Sequence, residues 1–122
     1  MDLQEIMQQE KFAVVGDTIK SEKFAYKIKS GLLEQGYTAY GVGKELQSLN
    51  DIAEEIDIID LCINPKRGLE LMQENKKACK CVVLQPGASD DALKNYLKEK
   101  NIPFIDGCLL VGMKLYPKKR NT

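Results

Sequence analysis

The chain has 122 residues, 43% hydrophobic and 30% charged. That fits one globular unit over 1–122, large enough to bury about 65% of the surface its unfolded chain exposes. Eighteen basic residues balance eighteen acidic ones, so no global field recruits nucleic acid or an anionic membrane, and any anion site must come from local placement of charge. Histidine is absent, which excludes a Ser/His/Asp triad, a histidine zinc site and a phosphohistidine intermediate.

No apolar stretch approaches the ~20 residues of a membrane span, and the polar, acidic segment 1–11 does not read as a signal peptide. Cys62 falls in an apolar strand, Cys79 and Cys81 are too close to pair comfortably, and Cys108 stands apart. Free thiols and a cytoplasmic location are expected. Cys79-Lys80-Cys81 lacks the two-residue spacer of redox and zinc motifs, so no metal is expected.

In chain order, Met1 to Glu10 (Leu3, Ile6 and Met7 apolar) reads as a short helix on the sheet edge. Phe12 to Gly16 is a strand of unbroken apolarity, which places it centrally. Ser21 is the expected N-cap of the first long helix, whose apolar face is Phe24, Ala25, Ile28, Leu32 and Leu33. Gly36 supplies the left-handed residue that ends it. Gly31, inside it, has close packing against a neighbour as a possible reason. Tyr37 to Val42 is the second strand, and Ser48 to Ile56 allows little more than two helical turns. Ile58 to Ile63 is the third strand, apolar except for Asp60. Asn64-Pro65 opens a helix as N-cap and first helical residue, with Leu69 and Met72 on its buried side. Lys80 to Leu84 is the fourth strand. Ser89-Asp90-Asp91 caps a helix that buries Ala92, Leu93, Tyr96 and Leu97. Ile102 to Ile105 is the fifth strand, 108–115 packs back on the core, and 117–122 is a frayed basic tail.

Strands alternating with helix-like segments predict an α/β fold: a Rossmann-like, doubly wound, five-stranded parallel sheet with helices on both faces. The expected order 3-2-1-4-5 places the chain reversal between the first and fourth strands. In such sheets ligands bind at the C-terminal strand edge, beside that reversal.

The loops at that edge hold the candidate residues. Gly16, Asp17, Thr18 and Lys20 form the first strand-to-helix turn, a natural anion seat with Lys23 and the helix start behind it. The dinucleotide fingerprint and the Walker A loop are missing, since only Gly16 is present in this turn. Val42, Gly43 and Lys44 end the second strand, and the basic Lys44 suits a ribose phosphate better than free hydroxyls. Ile63, Asn64, Pro65, Lys66 and Arg67 follow the third strand, and Gln85, Pro86 and Gly87 the fourth. Cys108 follows the fifth and reads first as a structural thiol. Lys20, Lys23, Lys44, Lys66 and Arg67 share one predicted rim, which points to a ligand carrying phosphate.

With these segments in view, the chain resembles the small stand-alone CoA-binding-domain proteins, which are similar to the CoA-binding domain of succinyl-CoA synthetase. The matching pieces are Ala13-Val14-Val15-Gly16, Phe24-Ala25-Tyr26, Leu33-Glu34-Gln35-Gly36-Tyr37, Asp57-Ile58-Ile59-Asp60-Leu61, Leu84-Gln85-Pro86-Gly87-Ala88 and Asp106-Gly107-Cys108. The resemblance implies coenzyme A or an acyl-CoA across the strand ends. Its phosphates would lie near Gly16 to Lys23, and its adenosine near Val42 and Asn64-Pro65. This chain departs from the pattern at Val42-Gly43-Lys44-Glu45, where the family has Val-Asn-Pro-Lys, and at Ala25, where the family has a glycine near the helix start. The synthetases' catalytic histidine lies outside this domain, so the resemblance implies binding without acyl-CoA synthesis. Open alternatives are an NAD(P)-using oxidoreductase or redox sensor, a scaffold for a partner protein, and an enzyme that uses Cys108 with the CoA thiol or disulfide. The apolar residues of 109–115 leave a homodimer open.

Overall fold

The computed structural model describes residues 1–118. The strands are β1 (Lys11–Gly16), β2 (Thr38–Gly43), β3 (Ile58–Leu61), β4 (Cys81–Leu84) and β5 (Phe104–Asp106), and the helices are α1 (Leu3–Ile6), α2 (Phe24–Glu34), α3 (Pro65–Glu74), α4 (Asp91–Glu99) and α5 (Leu109–Leu115). All neighbouring strands pair in parallel. The Rossmann-like α/β class stands as expected.

The strand order is 2-1-3-4-5, close to the expected 3-2-1-4-5 but with β3 between β1 and β4. Burial explains the difference. Ile58, Ile59, Asp60 and Leu61 are all buried, whereas only Val42 and Gly41 of β2 are. A strand apolar on both faces belongs inside a parallel sheet, and the one with Thr38, Ala39 and Tyr40 can sit at its edge. The chain therefore reverses between β1 and β3, the switch point of the other common doubly wound order. The β2–β3 crossover carries only a single 3-10 turn at Leu49–Asp51.

Side-chain alternation splits the core into two layers. Ala13, Val15, Ile59, Leu61, Val82 and Leu84 face α3 and α4, where Leu71, Met72, Leu93 and Leu97 cover them. Phe12, Val14, Ile58, Cys81 and Val83 face α1, α2 and α5, where Ile6, Ile28, Leu32, Leu109 and Met113 cover them. The helix at 109–115 is the segment expected to pack back on the core.

Several local expectations shift. Lys23, not Ser21, is the N-cap of α2, with no side-chain cap bond, because the chain first turns at 20–23 through Lys23 N–H to Lys20 O at 3.0 Å. The buried face of α2 is Ala25, Ile28 and Leu32. Phe24 and Leu33 are exposed, as is Ala92 of α4. Gly36 has φ +91°, and a methyl on Gly31 would lie 3.0 Å from Met113 Cε, so α2 and α5 do pack closely there. Of the segment expected to fray, Lys118 is tied down: its Nζ reaches Glu10 at 2.7 Å and lies 4.6 Å from the Tyr37 ring centre. Residues 119–122 lie outside the described residues.

The Asn64-Pro65 opening holds as expected. Asn64 Oδ1 accepts from Arg67 N–H at 2.9 Å, with proline at the first helical position. Asn64→Ala is expected to cost about 1 kcal/mol in urea unfolding. A cost near zero would mean that water caps α3 equally well.

Candidate functional site

The C-terminal ends of β1, β2 and β3 meet around two glycines. Gly16 and Gly43 are register partners, and an added Cβ on Gly16 would lie 2.4 Å from the Cys62 carbonyl oxygen and 2.9 Å from Ala25 Cβ. The glycine thus lets β1, the start of α2 and the end of β3 come together at the switch point. Ala25 is buried in this contact, and Tyr26 beside it is half-buried.

The turn after Gly16 already holds an anion, the chain's own. Asp17 Oδ1 accepts from Ile19 N–H at 3.0 Å and Lys20 N–H at 3.1 Å. The Lys20 and Ile19 N–H groups, then the charges of Lys20 and Lys44, hold this carboxyl below its usual range. The charges of both Lys20 and Lys44 therefore act on the Asp17 carboxylate. The backbone donors of 19–20 are in use, however. The donors that no side chain caps lie one turn later, at the start of α2. A helix N-terminus of this kind favours an anion through its N–H groups and dipole. Lys20, Lys23 and Phe24 are exposed around it, and Lys27 Nζ lies 5.6 Å from the Phe24 ring centre.

The β2 side is more crowded than the sequence suggested. Thr18 is buried, its hydroxyl without a partner among the described residues. It covers Gly41 together with the Glu45 carboxylate. Glu45 pairs with Lys29 at 2.7 Å, which turns its charge toward α2 and leaves Lys44 exposed at the rim. Val42 is in the core layer facing α3, so only its backbone reaches the edge.

Past the switch point, Ile63 and Pro65 are half-buried, and Asn64 and Lys66 are exposed. Arg67 lies 3.8 Å from Glu70. Pro86 and Gly87 are exposed, the latter at φ +85°. Gln85, expected to offer amide contacts to a ligand, is instead 5% exposed, and its Oε1 accepts from Leu109 N–H at 2.9 Å. It fixes the start of α5 over β4, beside the half-buried Cys108.

Asp60 is the residue whose place the sequence marked without explaining. It is fully buried, and neither carboxyl oxygen has a partner among the described residues. Burial, then the nearby Cys108, pushes it well above the usual carboxylate range. Burial, then Asp60 and Cys108, raises the Cys62 thiol to about 12. The lone acid in an apolar run was the available signal.

Two surface hollows lie away from this edge, at the N-terminal ends of the strands. One is lined by Met7, Glu10, Tyr116 and Lys118, the other by Ile56, Asp57, Lys77 and Lys80. No helix among the described residues is long and apolar enough to cross a membrane.

Comparison with solved structures places the same architecture elsewhere. A hypothetical protein from Pyrococcus horikoshii OT3 is 26% identical with TM-score 0.84, covering 96% of this chain and 91% of its own. A Thermus thermophilus protein, cell-free ID.343, is 27% identical with TM-score 0.78, covering 95% and 99%. The dinucleotide-forming acetyl-coenzyme A synthetase 1 of Ca. Korarchaeum cryptofilum, solved in complex with phosphate and ADP, shares the fold at TM-score 0.70 and 16% identity. The match covers 85% of this chain but 27% of that one. No curated protein matches significantly. The family model described as a CoA binding domain matches residues 10–114, and the chain belongs to that family.

Proposed function

We propose that the chain binds coenzyme A or an acyl-CoA at the C-terminal strand edge and does not catalyse acyl transfer. The observation that carries this is the uncapped start of α2 beside Gly16, with the exposed Lys20 and Lys44 both acting on the Asp17 carboxylate next to it. In this reading the ligand's phosphates meet the first turn of α2, Lys20, Lys23 and Lys44. The adenosine lies toward Gly43 and Asn64-Pro65, and the thiol arm runs toward β4. Asp17 shapes the turn and stands where phosphate charge would gather, so its carboxylate must yield to the ligand or share the lysines with it. Family membership supports the ligand class.

Thermal unfolding with CoA, acetyl-CoA, NAD and NADPH at matched concentration tests the reading. A ligand at about one hundred times its Kd adds ~2.7 kcal/mol, several degrees in a domain of this size. A shift with the CoA species alone is expected, whereas a shift with NADPH alone rejects the reading. Lys20→Ala combined with Lys44→Ala is expected to weaken CoA binding about tenfold or more, ~1.4 kcal/mol, in titration calorimetry. Unchanged affinity would put the phosphates elsewhere.

A further inference from the structure

Strand alternation puts Asp60 and Cys62 on the same face of β3, the face covered by α2 and α5. Cys62 packs on that layer with Val14, Val83 and Leu109. Cys108 directly precedes Leu109, which is buried in the same layer. It is the N-cap residue of α5, its side chain takes no part in capping, and the Gln85–Leu109 bond holds the helix start over β4. Asp60, Cys62 and Cys108 lie close enough for their charges to act on one another. Both thiols are half-buried and so partly open to solvent. Cys62 is also next to the anion seat, since its carbonyl lies against Gly16. Among the described residues no group is arranged to hold a metal ion.

A buried carboxyl with neither oxygen partnered is not explained by the packing of the fold. Kept neutral, it is an O–H donor without an acceptor among the described residues, within electrostatic reach of Cys62 and Cys108. A thiol ligand threading this crevice would end near it. The β4 end is two strands from β1, roughly 10 Å at ordinary strand spacing, and the pantetheine arm is long enough to cover that distance.

We propose that Cys108 is a thiol–disulfide exchange site for the sulfur end of coenzyme A, forming a stoichiometric mixed disulfide, with Asp60 as a positioning residue. This rests on the reading of the crevice as a CoA site. The oxidant is a CoA disulfide, R–S–S–R. Cys108 gives up its proton, and its sulfur attacks one sulfur of the pair. The S–S bond breaks as the Cys108–S–S–R bond forms, and the leaving R–S⁻ takes the proton as R–SH. The Cys108 sulfur is oxidised and the leaving sulfur is reduced. A carboxylate at position 60 would repel a thiolate, whereas a carboxylic acid can donate its proton to one in a hydrogen bond. Cys62, protonated at neutral pH, is a poor resolving nucleophile, so the mixed disulfide accumulates.

The test incubates the reduced full-length protein with CoA disulfide or with glutathione disulfide and follows intact mass and the labelled peptide. One CoA on Cys108 is expected, formed at least tenfold faster than the glutathione adduct. It should be lost in Cys108→Ser and kept in Cys79→Ser, the latter a thiol at the opposite strand edge. Asp60→Asn should slow labelling several-fold and alter its pH profile; labelling identical to wild type at every pH would overturn the part given to Asp60. Equal rates with both disulfides, or label on another cysteine, would overturn the exchange site. Calorimetry with reduced CoA separates the two readings. Binding without a Cys108 adduct overturns the exchange alone, whereas no binding together with equal labelling by both disulfides overturns both.

Discussion

Gly16→Val is expected to destabilise the chain by about 3–5 kcal/mol, a large part of the ~5–15 kcal/mol that holds a typical domain. The first Cβ atom alone would sit 2.4 Å from the Cys62 carbonyl oxygen and 2.9 Å from Ala25 Cβ. The first of these is backbone, and it cannot swing away freely because Cys62 N–H donates to Val15 O at 2.8 Å. Gly16 also has φ +156°, where side chains are strained at roughly 1–3 kcal/mol. Overpacking adds a similar amount. Gly87 separates the two contributions, since its φ is +85° but a Cβ there meets nothing within 4 Å. Gly87→Ala should cost only the backbone strain, about 1–2 kcal/mol. Urea unfolding of Gly16→Ala, Gly16→Val and Gly87→Ala decides the matter. If Gly16→Ala costs no more than Gly87→Ala, the close approach of β1 to the end of β3 is not what the glycine is for. The same contact forms the crevice at the switch point, so a folded remnant of Gly16→Val should also bind CoA less well.

That role of Gly16 was half legible in the sequence. A glycine after Phe12-Ala13-Val14-Val15 marks the end of a buried strand, but the partner that crowds it, Cys62, is 46 residues further on and enters only through the strand order. The order itself could be read in part from composition. Ile58-Ile59-Asp60-Leu61 is apolar enough for two covered faces, and Thr38-Ala39-Tyr40-Gly41 is not. The expectation weighed chain sequence over that contrast and placed β3 at the edge. Helix caps were legible where a side chain makes them, at Asn64 and Asp90. The start of α2 was not, because nothing caps it and Asp17 spends its carboxylate on the preceding turn. The place of Lys20 and Lys44 at one sheet edge was legible because each follows the end of a strand that pairs with the other. Gln85 was misjudged because a glutamine after a strand looks the same whether it faces a ligand or, as here, the first N–H of α5.

Asp60 carries the second large expectation: between about pH 5 and 8 the stability of the wild-type chain should fall as pH rises. In the folded state burial, then Cys108, holds this carboxyl neutral well above its ordinary range, while in the unfolded chain it ionises near pH 4. Between those two points the folded state binds one proton more, so raising the pH favours unfolding by up to ~1.4 kcal/mol per unit. The contribution is fully present below the unfolded pKa and is lost as pH climbs through the folded one. Other shifted groups act outside this window. Asp17, Glu54 and Asp57 are all lowered, so their stabilisation is lost only on acidification below about pH 4. Cys62 and Cys79, raised to about 12 and about 11 by burial first, weaken the fold only as the unfolded thiols begin to ionise near pH 8.5. Asp60→Asn keeps the shape and removes the titration, so its stability should be nearly flat from pH 5 to 8 and should exceed that of the wild type by a margin that widens with pH. Asp60→Leu should show the same flat profile and, if the layer beneath α5 accepts its volume, gain further by removing a buried unsatisfied group worth about 1–3 kcal/mol. Urea midpoints at unit pH steps measure this directly. A slope in Asp60→Asn as steep as in the wild type would assign the dependence to another group, and with it would go the claim that a neutral carboxyl lies beneath the crevice.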